Sequence, residues 1–587
     1  MLKSWLISSG NFPGRLDKNE DHGRFHVRYD GELIKNNGED RTGIGIDGFV
    51  LPREFCYEEY RRFKGEELVR RLYAEKGLKF IDHIKGIFTI LLIDADRFYI
   101  FNDQHSIKKF FIYRKGEDFL IASDLSLIAA AVELEVNADR AALFCLMSRF
   151  IGGMTLFRDT DYSGPATFVR GDDSLKIGQY WLPDELLKRQ EKDVSFQDLA
   201  KFWKGNIQHY VDYFRPASMT MTLTGGNDSR MILAALLSLG IKPNAFTFGD
   251  PGSLDAVVAR KVAASRGLNY HNYFDENPSA GWFEAQGRRI VALGSSLLNI
   301  HRAHRLDAIE REMENNPANE MIFVGDMGGE YIHGFSYNDY IISKLFRLWK
   351  PGNKKYNLEL IRAILAERHF NAEATDIENV CLLLENQPFI RNKGIHGNFH
   401  VEFYIDDSLH HTQDMNLYLR KLKYLVCPFM DIDFMEALFS SPYHMPLGKG
   451  EPVKNHVLEI WEPSLRLSIT HALAPELSGI EYGKRGHYSA QEFFGSKLYL
   501  MLKRTWRYFI NRNRVPTFSY RQWMVEFIAR SIEGLSPQAA CLFDSTRFKE
   551  ALSRGEHGTT EGYWHDFSAA INIDFITKEY IKTDEKV

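Results

Sequence analysis

The chain has few cysteines. Five occur in 587 residues, Cys56, Cys145, Cys381, Cys427 and Cys541, and no two are spaced as CxxC. Zinc ribbons and dithiol redox pairs need that spacing, so neither is expected, and scattered thiols fit a reducing cytoplasm. Long apolar runs are missing too. No uninterrupted stretch of about 18 apolar residues occurs, and after Met1-Leu2-Lys3-Ser4-Trp5 the chain turns polar. Neither a secretory leader nor a membrane span is expected. Positive charge is also not in excess: 73 Lys and Arg against 78 Asp and Glu leave a net charge of −5. No overall field draws in a phosphate backbone, and nucleic acid is not an expected partner. Internal repeats and low-complexity tracts are absent as well, which argues against fibrous and solenoid architectures.

What remains is an ordinary globular mixture, 44% hydrophobic and 26% charged, which speaks against wholesale disorder. At roughly 100–200 residues per domain, a chain of this length needs two large domains or three smaller ones. Over residues 1–185 short apolar stretches alternate with polar turns. Gly86-Ile87-Phe88-Thr89-Ile90-Leu91-Leu92-Ile93-Asp94 and Phe98-Tyr99-Ile100-Phe101 read as paired strands. Leu68, Val69 and Leu72 on the charged background of Glu66 to Glu75 read as a helix lying on a sheet, and this first domain is expected to be α+β. A charged, strand-poor stretch through Lys188-Arg189-Gln190-Glu191-Lys192-Asp193 marks a boundary. Beyond it Ser218 to Leu223, Ala245 to Phe248 and Met321 to Val324 read as buried strands, with helices over Met231 to Leu239 and Asp255 to Ser265. Strand, helix, strand repetition predicts a parallel sheet covered on both faces by helices.

The chemistry concentrates in Leu223-Thr224-Gly225-Gly226-Asn227-Asp228-Ser229-Arg230, between the end of a strand and the start of a helix. Adjacent glycines let a ligand approach main-chain N–H groups, and the helix presents its positive end to an anion. Asp228 places a carboxylate beside bound phosphates to hold magnesium, and Thr224 and Ser229 add hydroxyl donors. The pattern is neither GxxxxGK[ST] nor GxGxxG, which argues against a phosphate-transferring P-loop enzyme and a dinucleotide binder. Taken alone, the segment also fits a plain strand-to-helix turn that needs glycines.

Thr224 to Ser229 resembles the Ser-Gly-Gly-x-Asp-Ser pyrophosphate loop of ATP-pyrophosphatases, and the segments around it narrow the resemblance to the asparagine synthetase family. Phe246 to Phe248, then Asp255, Ala259-Arg260, Val262-Ala263 and Tyr270-His271, is similar to that family's second strand and following helix. Val324-Gly325-Asp326-Met327-Gly328-Gly329-Glu330 through Phe335 resembles its second loop, Val426-Cys427-Pro428-Phe429-Met430-Asp431 its Val-Pro-Phe-Leu-Asp, and Val453-Lys454-Asn455-His456 the segment of its catalytic lysine. In the first domain Gly86-Ile87-Phe88, Asn102-Asp103 before Ile107-Lys108, Ala122-Ser123-Asp124, Met154-Thr155-Leu156-Phe157 and Tyr180-Trp181 resemble landmarks of the family's glutamine amidotransferase domain.

The resemblance implies an α+β N-terminal Ntn-hydrolase-like sandwich over residues 1–185 and an α/β ATP-pyrophosphatase (PP-loop) synthetase domain over 195–485. A helical extension over 486–587 would pack on the latter. It implies ATP and Mg2+ as cofactors, and Leu223, Thr224, Gly225, Gly226, Asp228, Ser229, Phe248 and Gly325 as nucleotide-binding residues. Lys454 and Asp326 take catalytic roles, and Asp228 with Glu330 holds the metal, since the family's metal-binding Asp falls on Gly329. Lys454 rests on the resemblance alone, because an isolated lysine is ordinarily a solvated surface group.

The glutaminase parts do not match. The family's nucleophilic cysteine directly follows the initiator methionine, where this sequence has Leu2; its Asn-Gly-Glu appears as Asp47-Gly48-Phe49, and its Ser-Asp-Thr-Glu as Lys64-Gly65-Glu66-Glu67. The first domain is then a structural relic or a docking surface. The expected activity is an AMP-forming ligase that joins a small-molecule or peptide carboxylate to an amine not drawn from glutamine, similar to β-lactam synthetases and lasso-peptide macrolactam synthetases. Amidation of a sugar acid is equally open, a non-catalytic nucleotide-binding partner protein is the rival reading, and a homodimer is allowed.

Other features stay open. Arg230 contacts an anion or pairs with a neighbouring carboxylate. His301, His304 and His410-His411 lack a metal-ligand pattern. Lys497 to Ile510 mixes apolar and basic residues at helical spacing and reads first as a helix packed on the synthetase domain with its basic groups in water. Residual glutamine hydrolysis by another cysteine is a remote third reading.

Overall fold

The computed structural model describes residues 2–9, 12, 16–22, 25–35, 43–94, 96–172, 174–182, 184–187, 189, 192–274, 279–297, 300, 303–328, 332, 344–345, 348–387, 390, 417–419, 421–444, 465–482, 489, 492, 495–510, 521–544, 546–548, 550 and 560–581. The first part is built on strands β1 (Leu2–Ser8), β2 (Lys18–His22), β3 (Phe25–Gly31), β4 (Ile34–Lys35), β5 (Gly43–Pro52), β6 (Ile84–Asp94), β7 (Arg97–Asn102), β8 (Phe111–Lys115), β9 (Asp118–Ala122), β10 (Thr160–Tyr162), β11 (Thr167–Gly171) and β12 (Leu175–Gln179). They form two antiparallel six-stranded sheets, ordered β10-β8-β9-β1-β3-β2 and β12-β11-β7-β6-β5-β4.

Strand alternation explains why β6 is almost wholly apolar from Ile87 to Ile93. Leu91 and Ile93 face Trp5, Ile7 and Phe110 between the two sheets. Phe88, Ile90 and Leu92 face the other way, onto Leu68, Val69 and Leu72 of the Gly65–Lys76 helix. Both faces of the strand are buried, and its polar side chains are few: Lys85 and Thr89, both buried, and Asp94 at its end.

The second part is a five-stranded sheet of β13 (Ser218–Thr222), β14 (Asn244–Phe248), β15 (Tyr270–Tyr273), β16 (Asn319–Phe323) and β17 (Tyr424–Val426), ordered β15-β14-β13-β16-β17. All four pairings are parallel. From β13 the chain runs outward to β14 and β15, then returns to place β16 on the other side of β13. The 303–315 helix is tied to the sheet by Glu312, fully buried, which accepts from Thr220 Oγ1 at 2.8 Å, Tyr273 Oη at 2.9 Å and Asn319 Nδ2 at 3.1 Å.

Near the C-terminus the Thr560–Tyr580 helix packs back onto the middle of the chain. Asn572 Oδ1 accepts the Ile300 N–H at 2.9 Å, and the Tyr580 ring meets Phe157 of the first part at 6.0 Å. The Lys497–Ile510 helix departs from the expectation: Leu500 is buried, but Leu498, Leu502 and Trp506, spaced one turn apart, are each more than 60% exposed. Lys503 turns inward instead, to Glu481 and Glu492. Among the described residues no helix is long and apolar enough to cross a membrane.

A buried ionic latch joins the two parts. Lys85 of β6, 1% exposed, places Nζ 2.9 Å from Asp431 Oδ2 and 2.9 Å from Asp433 Oδ2. Arg53 reaches Asp433 at 2.8 Å and Glu436 at 2.7 Å, while Tyr210 Oη donates to Asp431 at 2.8 Å. Asp431 also caps the Ile432–Phe439 helix through the N–H groups of Asp433 and Phe434. Burial alone would lift the Asp433 carboxyl, but Lys85 and Arg53 outweigh it and hold it down at about 2.

Removing one partner strands the others in a dry interface. Lys85→Met should therefore cost about 3–5 kcal/mol in urea unfolding. Because Asp433 titrates lower when folded than the roughly 3.9 of an unfolded aspartate, its contribution is complete above about pH 4. It should drain away as pH falls from there toward 2, and Lys85→Met should flatten that acid limb.

Candidate functional site

Strands β13 and β16 lie side by side while their connections leave in opposite directions. Their C-terminal ends therefore open a crevice, the place where open parallel sheets bind ligands. Thr224 to Ser229 leaves β13 at this point, and Val324 to Gly328 leaves β16 beside it. Leu223 continues the sheet, donating its N–H to the Phe246 carbonyl at 2.8 Å, and its own carbonyl accepts from Thr247 Oγ1.

The loop is cross-braced by its own hydroxyls. The Thr224 N–H donates to Ser229 Oγ at 3.1 Å, and the Gly226 N–H donates to Thr224 Oγ1 at 3.2 Å. Gly226 is the N-cap of the Asn227–Ser238 helix and makes no side-chain cap. The helix thus presents main-chain amides and the positive end of its dipole at the crevice, a ready anion site.

Three distant segments close on Asp228. A Cβ on Gly328 would lie 2.6 Å from Asp228 Oδ1 and 2.8 Å from Phe429 Cε2; one on Gly325 would lie 3.1 Å from the Ser229 nitrogen. Both glycines let the β16 loop rest directly on the first turn of the helix. The third neighbour is Arg466, on the Leu465–Leu473 helix, whose Nη1 donates to Asp228 Oδ1. The Arg466 side chain is 4% exposed and that of Asp228 29%.

The rim is completed by a second arginine. Arg305 Nη1 lies 3.9 Å from Asp326 Oδ1, and its guanidinium carbon sits 5.5 Å from the centroid of the Phe248 ring. Phe248 closes β14, with the buried His304 ring 5.2 Å away. The structure therefore brings Leu223, Thr224, Gly225, Gly226, Asp228, Ser229, Phe248, Gly325 and Asp326 to the C-terminal edges of three adjacent strands. Lys454 and Glu330, with Gly329, His301 and His410-His411, lie outside the described residues. Among the described residues no group of three His, Cys, Asp or Glu side chains could hold a metal ion.

Arg230 does neither of the things expected of it. It is fully buried, donates to the carbonyls of Ile480 at 2.7 Å and Glu481 at 3.0 Å, and lies 3.9 Å above the Tyr482 ring. It ties the loop helix to the segment after Leu477 rather than facing an anion or a carboxylate. Arg305 and Arg466 are the residues that sequence reading missed. An arginine on a helix gives no local sign of a buried electrostatic role.

In the first part, Leu2, Asp47 and Phe49 are all engaged in packing or pairing. Leu2 is buried between the sheets, its Cδ1 over Gly45. Asp47 pairs with Lys108 at 2.6 Å. Phe49 packs edge-on against Phe214 at 5.3 Å and Tyr424 at 5.6 Å, joining the sandwich to the edge strand β17. Burial pushes the thiols of Cys56 and Cys381 up to about 11, Cys145 up to about 12 and Cys427 well above its ordinary value. Burial of this kind disfavours the thiolate, the reactive form of cysteine.

Residues 54–130 match the model of a glutamine amidotransferase domain. The chain is 27% identical over 221 residues to asparagine synthetase (glutamine-hydrolyzing) 3 of Bacillus subtilis (strain 168), covering 36% of this chain and 33% of that enzyme. The match thus spans about a third of the relative's length. Among solved structures, the chain is similar to the allosteric regulatory enzyme of purine biosynthesis, with 9% identity, a TM-score of 0.21, and 47% of this chain and 75% of that one covered. The glutamine phosphoribosylpyrophosphate (PRPP) amidotransferase from B. subtilis complexed with ADP and GMP gives 11% identity, a TM-score of 0.21, and coverages of 48% and 76%. At that TM-score neither structure specifies the fold. The two sequence matches support a relationship to the asparagine synthetase family.

Close packing makes Gly328 a sharp test of the site. Gly328→Ala drives a methyl into Asp228 and the fully buried Phe429, and should cost about 1–3 kcal/mol in thermal unfolding. Gly205→Ala, in the Phe196–Phe214 helix with open space around it, should instead stabilise by about 0.5–1 kcal/mol.

Proposed function

We propose that the chain is an ATP-dependent ligase that activates a carboxylate as its acyl-adenylate and transfers the acyl group to an amine. The observation that carries this reading is the diglycine loop at the switch point, with Asp228 at its mouth. The relationship to asparagine synthetase supports it.

A carboxylate is a poor electrophile. In the proposed first step its oxygen attacks the α-phosphorus of ATP; the bond from that phosphorus to the bridging oxygen breaks, and pyrophosphate leaves with the electron pair. In the second step the amine attacks the acyl carbon, AMP departs as the leaving group, and the amine nitrogen loses a proton. The amides of Gly225, Gly226 and the first helical turn would bind the departing pyrophosphate, with the hydroxyls of Thr224 and Ser229 shaping the loop. Phe248 would flank the nucleotide on the β14 side. Lys454, by its resemblance, would stabilise the tetrahedral oxyanion, and Asp326 stands at the acyl side of the crevice.

Magnesium fits here as an ion carried by the nucleotide. Such an ion is commonly held by one or two carboxylates, phosphate oxygens and water, and Asp228 is the carboxylate at the loop, with Glu330 as its proposed partner. When bound, the ion neutralises charge building on the pyrophosphate. We assign residues 1–185 to a degenerate Ntn-type sandwich that supplies no ammonia, 195–485 to the synthetase domain and 486–587 to its helical extension. The amine then arrives on a substrate or as free ammonia.

One observation favours a second reading, a nucleotide-binding protein without catalysis: Asp228 is already held by Arg466. Two measurements separate the readings. ATP–pyrophosphate exchange should appear with a suitable carboxylate and vanish without it. Calorimetric binding of ATP with magnesium should weaken by about tenfold or more in Asp228→Ala. Binding without exchange across carboxylate classes would select the second reading, and no binding at all would remove both.

A further inference from the structure

The proposed reaction asks a carboxylate-bearing loop to accept pyrophosphate, an anion of several charges. The loop contains Asp228 and no Lys or Arg before the fully buried Arg230, which is turned to the carbonyls of Ile480 and Glu481. Positive charge for such an anion comes from elsewhere in the fold, and among the described residues Arg466 is a cation that touches the loop. Its side chain is buried, it approaches from the Leu465–Leu473 helix, and one of its terminal nitrogens meets the same oxygen that a Cβ on Gly328 would crowd.

We propose that Arg466 is the loop's resident pyrophosphate-binding cation, held in place by Asp228 and turned onto the phosphates when magnesium takes over that carboxylate. Guanidinium suits the exchange. It is always charged, it presents five N–H donors in a planar fork, and it binds carboxylate and phosphate with similar geometry. While paired to Asp228 it offsets the charge of a half-buried carboxylate; once the carboxylate binds a divalent ion, the same guanidinium can turn donors to the ligand. The site therefore holds part of its phosphate-neutralising charge in the chain itself and depends less on metal than a loop with carboxylates alone.

This inference rests on the ligase reading only in placing pyrophosphate at the loop, so its test uses inorganic pyrophosphate and not turnover. Isothermal titration of the full chain is run in excess EDTA and again in excess magnesium, for the wild type, Arg466→Met, Arg466→Lys and Asp228→Asn. The wild type should bind pyrophosphate in EDTA. Arg466→Met should weaken that binding by about tenfold or more, and Arg466→Lys, which keeps the charge, should recover most of it. Asp228→Asn should show opposite signs in the two media: tighter binding in EDTA, because a repelling carboxylate is gone and no longer neutralises the guanidinium, and weaker binding in magnesium, because the metal has lost its ligand. A merely structural arginine predicts no such inversion.

Wild-type binding that disappears in EDTA, Arg466→Met affinity equal to wild type, or Asp228→Asn weaker in both media would each overturn the proposal. Should Arg466→Met fail to fold, as a lowered thermal midpoint would show, Arg466→Lys and Asp228→Asn still decide it. A chain that binds magnesium–ATP but shows none of these effects loses this inference alone. One that binds neither nucleotide nor pyrophosphate loses the ligase reading as well.

Discussion

The carboxylate of Asp228 is the point on which the second half of the molecule converges. It lies in the first turn of the helix that follows β13, under Gly328 from the β16 loop, close to Phe429 from the β17 loop, and paired to Arg466 from a helix still further along the chain. Each contact answers the same constraint. A half-buried carboxylate needs a cation or several N–H donors, and on the proposed function the loop also needs space beside it for phosphates. Glycine at 328 and 325 provides the space, and arginine at 466 provides the charge.

A continuous path of contacts runs from this point to the first half. Phe429 belongs to the Pro428–Met430 turn, which leads into Asp431. Asp431 caps the next helix and shares Lys85 with Asp433. Lys85 sits on β6, a strand buried on both faces in the sandwich. The sandwich thus forms the back wall of the β17 loop. That gives the sandwich a structural role in the second half of the molecule, and Leu2 and Phe49 take part in its packing. Both side chains do packing work: Leu2 fills the space between the sheets, and Phe49 forms part of the aromatic seam with Phe214 and Tyr424.

Sequence reading was strongest where the determinant is local. Strand β6 was legible from its largely apolar run, broken only by Thr89 between Ile87 and Ile93, the Asn227–Ser238 helix from the glycine pair before it, and the parallel grammar from strands and helices in alternation. Strand β1 was not singled out, because Lys3 and Ser4 interrupt Leu2, Trp5, Leu6 and Ile7, and only pairing with β3 and β9 reveals it. The partners of the loop were illegible for a different reason. Arg466 lies 238 positions from Asp228, and the carbonyl that receives Arg230 lies 250 positions away. An arginine in isolation reads as a solvated group, and only tertiary packing converts it into a buried counter-ion. The same holds for Lys85, which reads as an interruption of an apolar strand and is in fact its most consequential residue.

The arrangement of charge at the crevice gives a last constraint. Asp228 and Asp326 each face an arginine, Arg466 and Arg305, so among the described residues the rim charges pair off while the helix end beneath them is positive. A neutral rim over a positive floor does not repel an incoming polyphosphate, and it does not attract stray anions as strongly as an array of lysines would. Selectivity then comes from geometry, because only a ligand that reaches the loop amides while separating the two ion pairs gains the full interaction. On the proposed function, a nucleotide that brings its own divalent ion would meet that condition, with Asp228 available to the ion and the guanidinium of Arg466 beside it available to the phosphates.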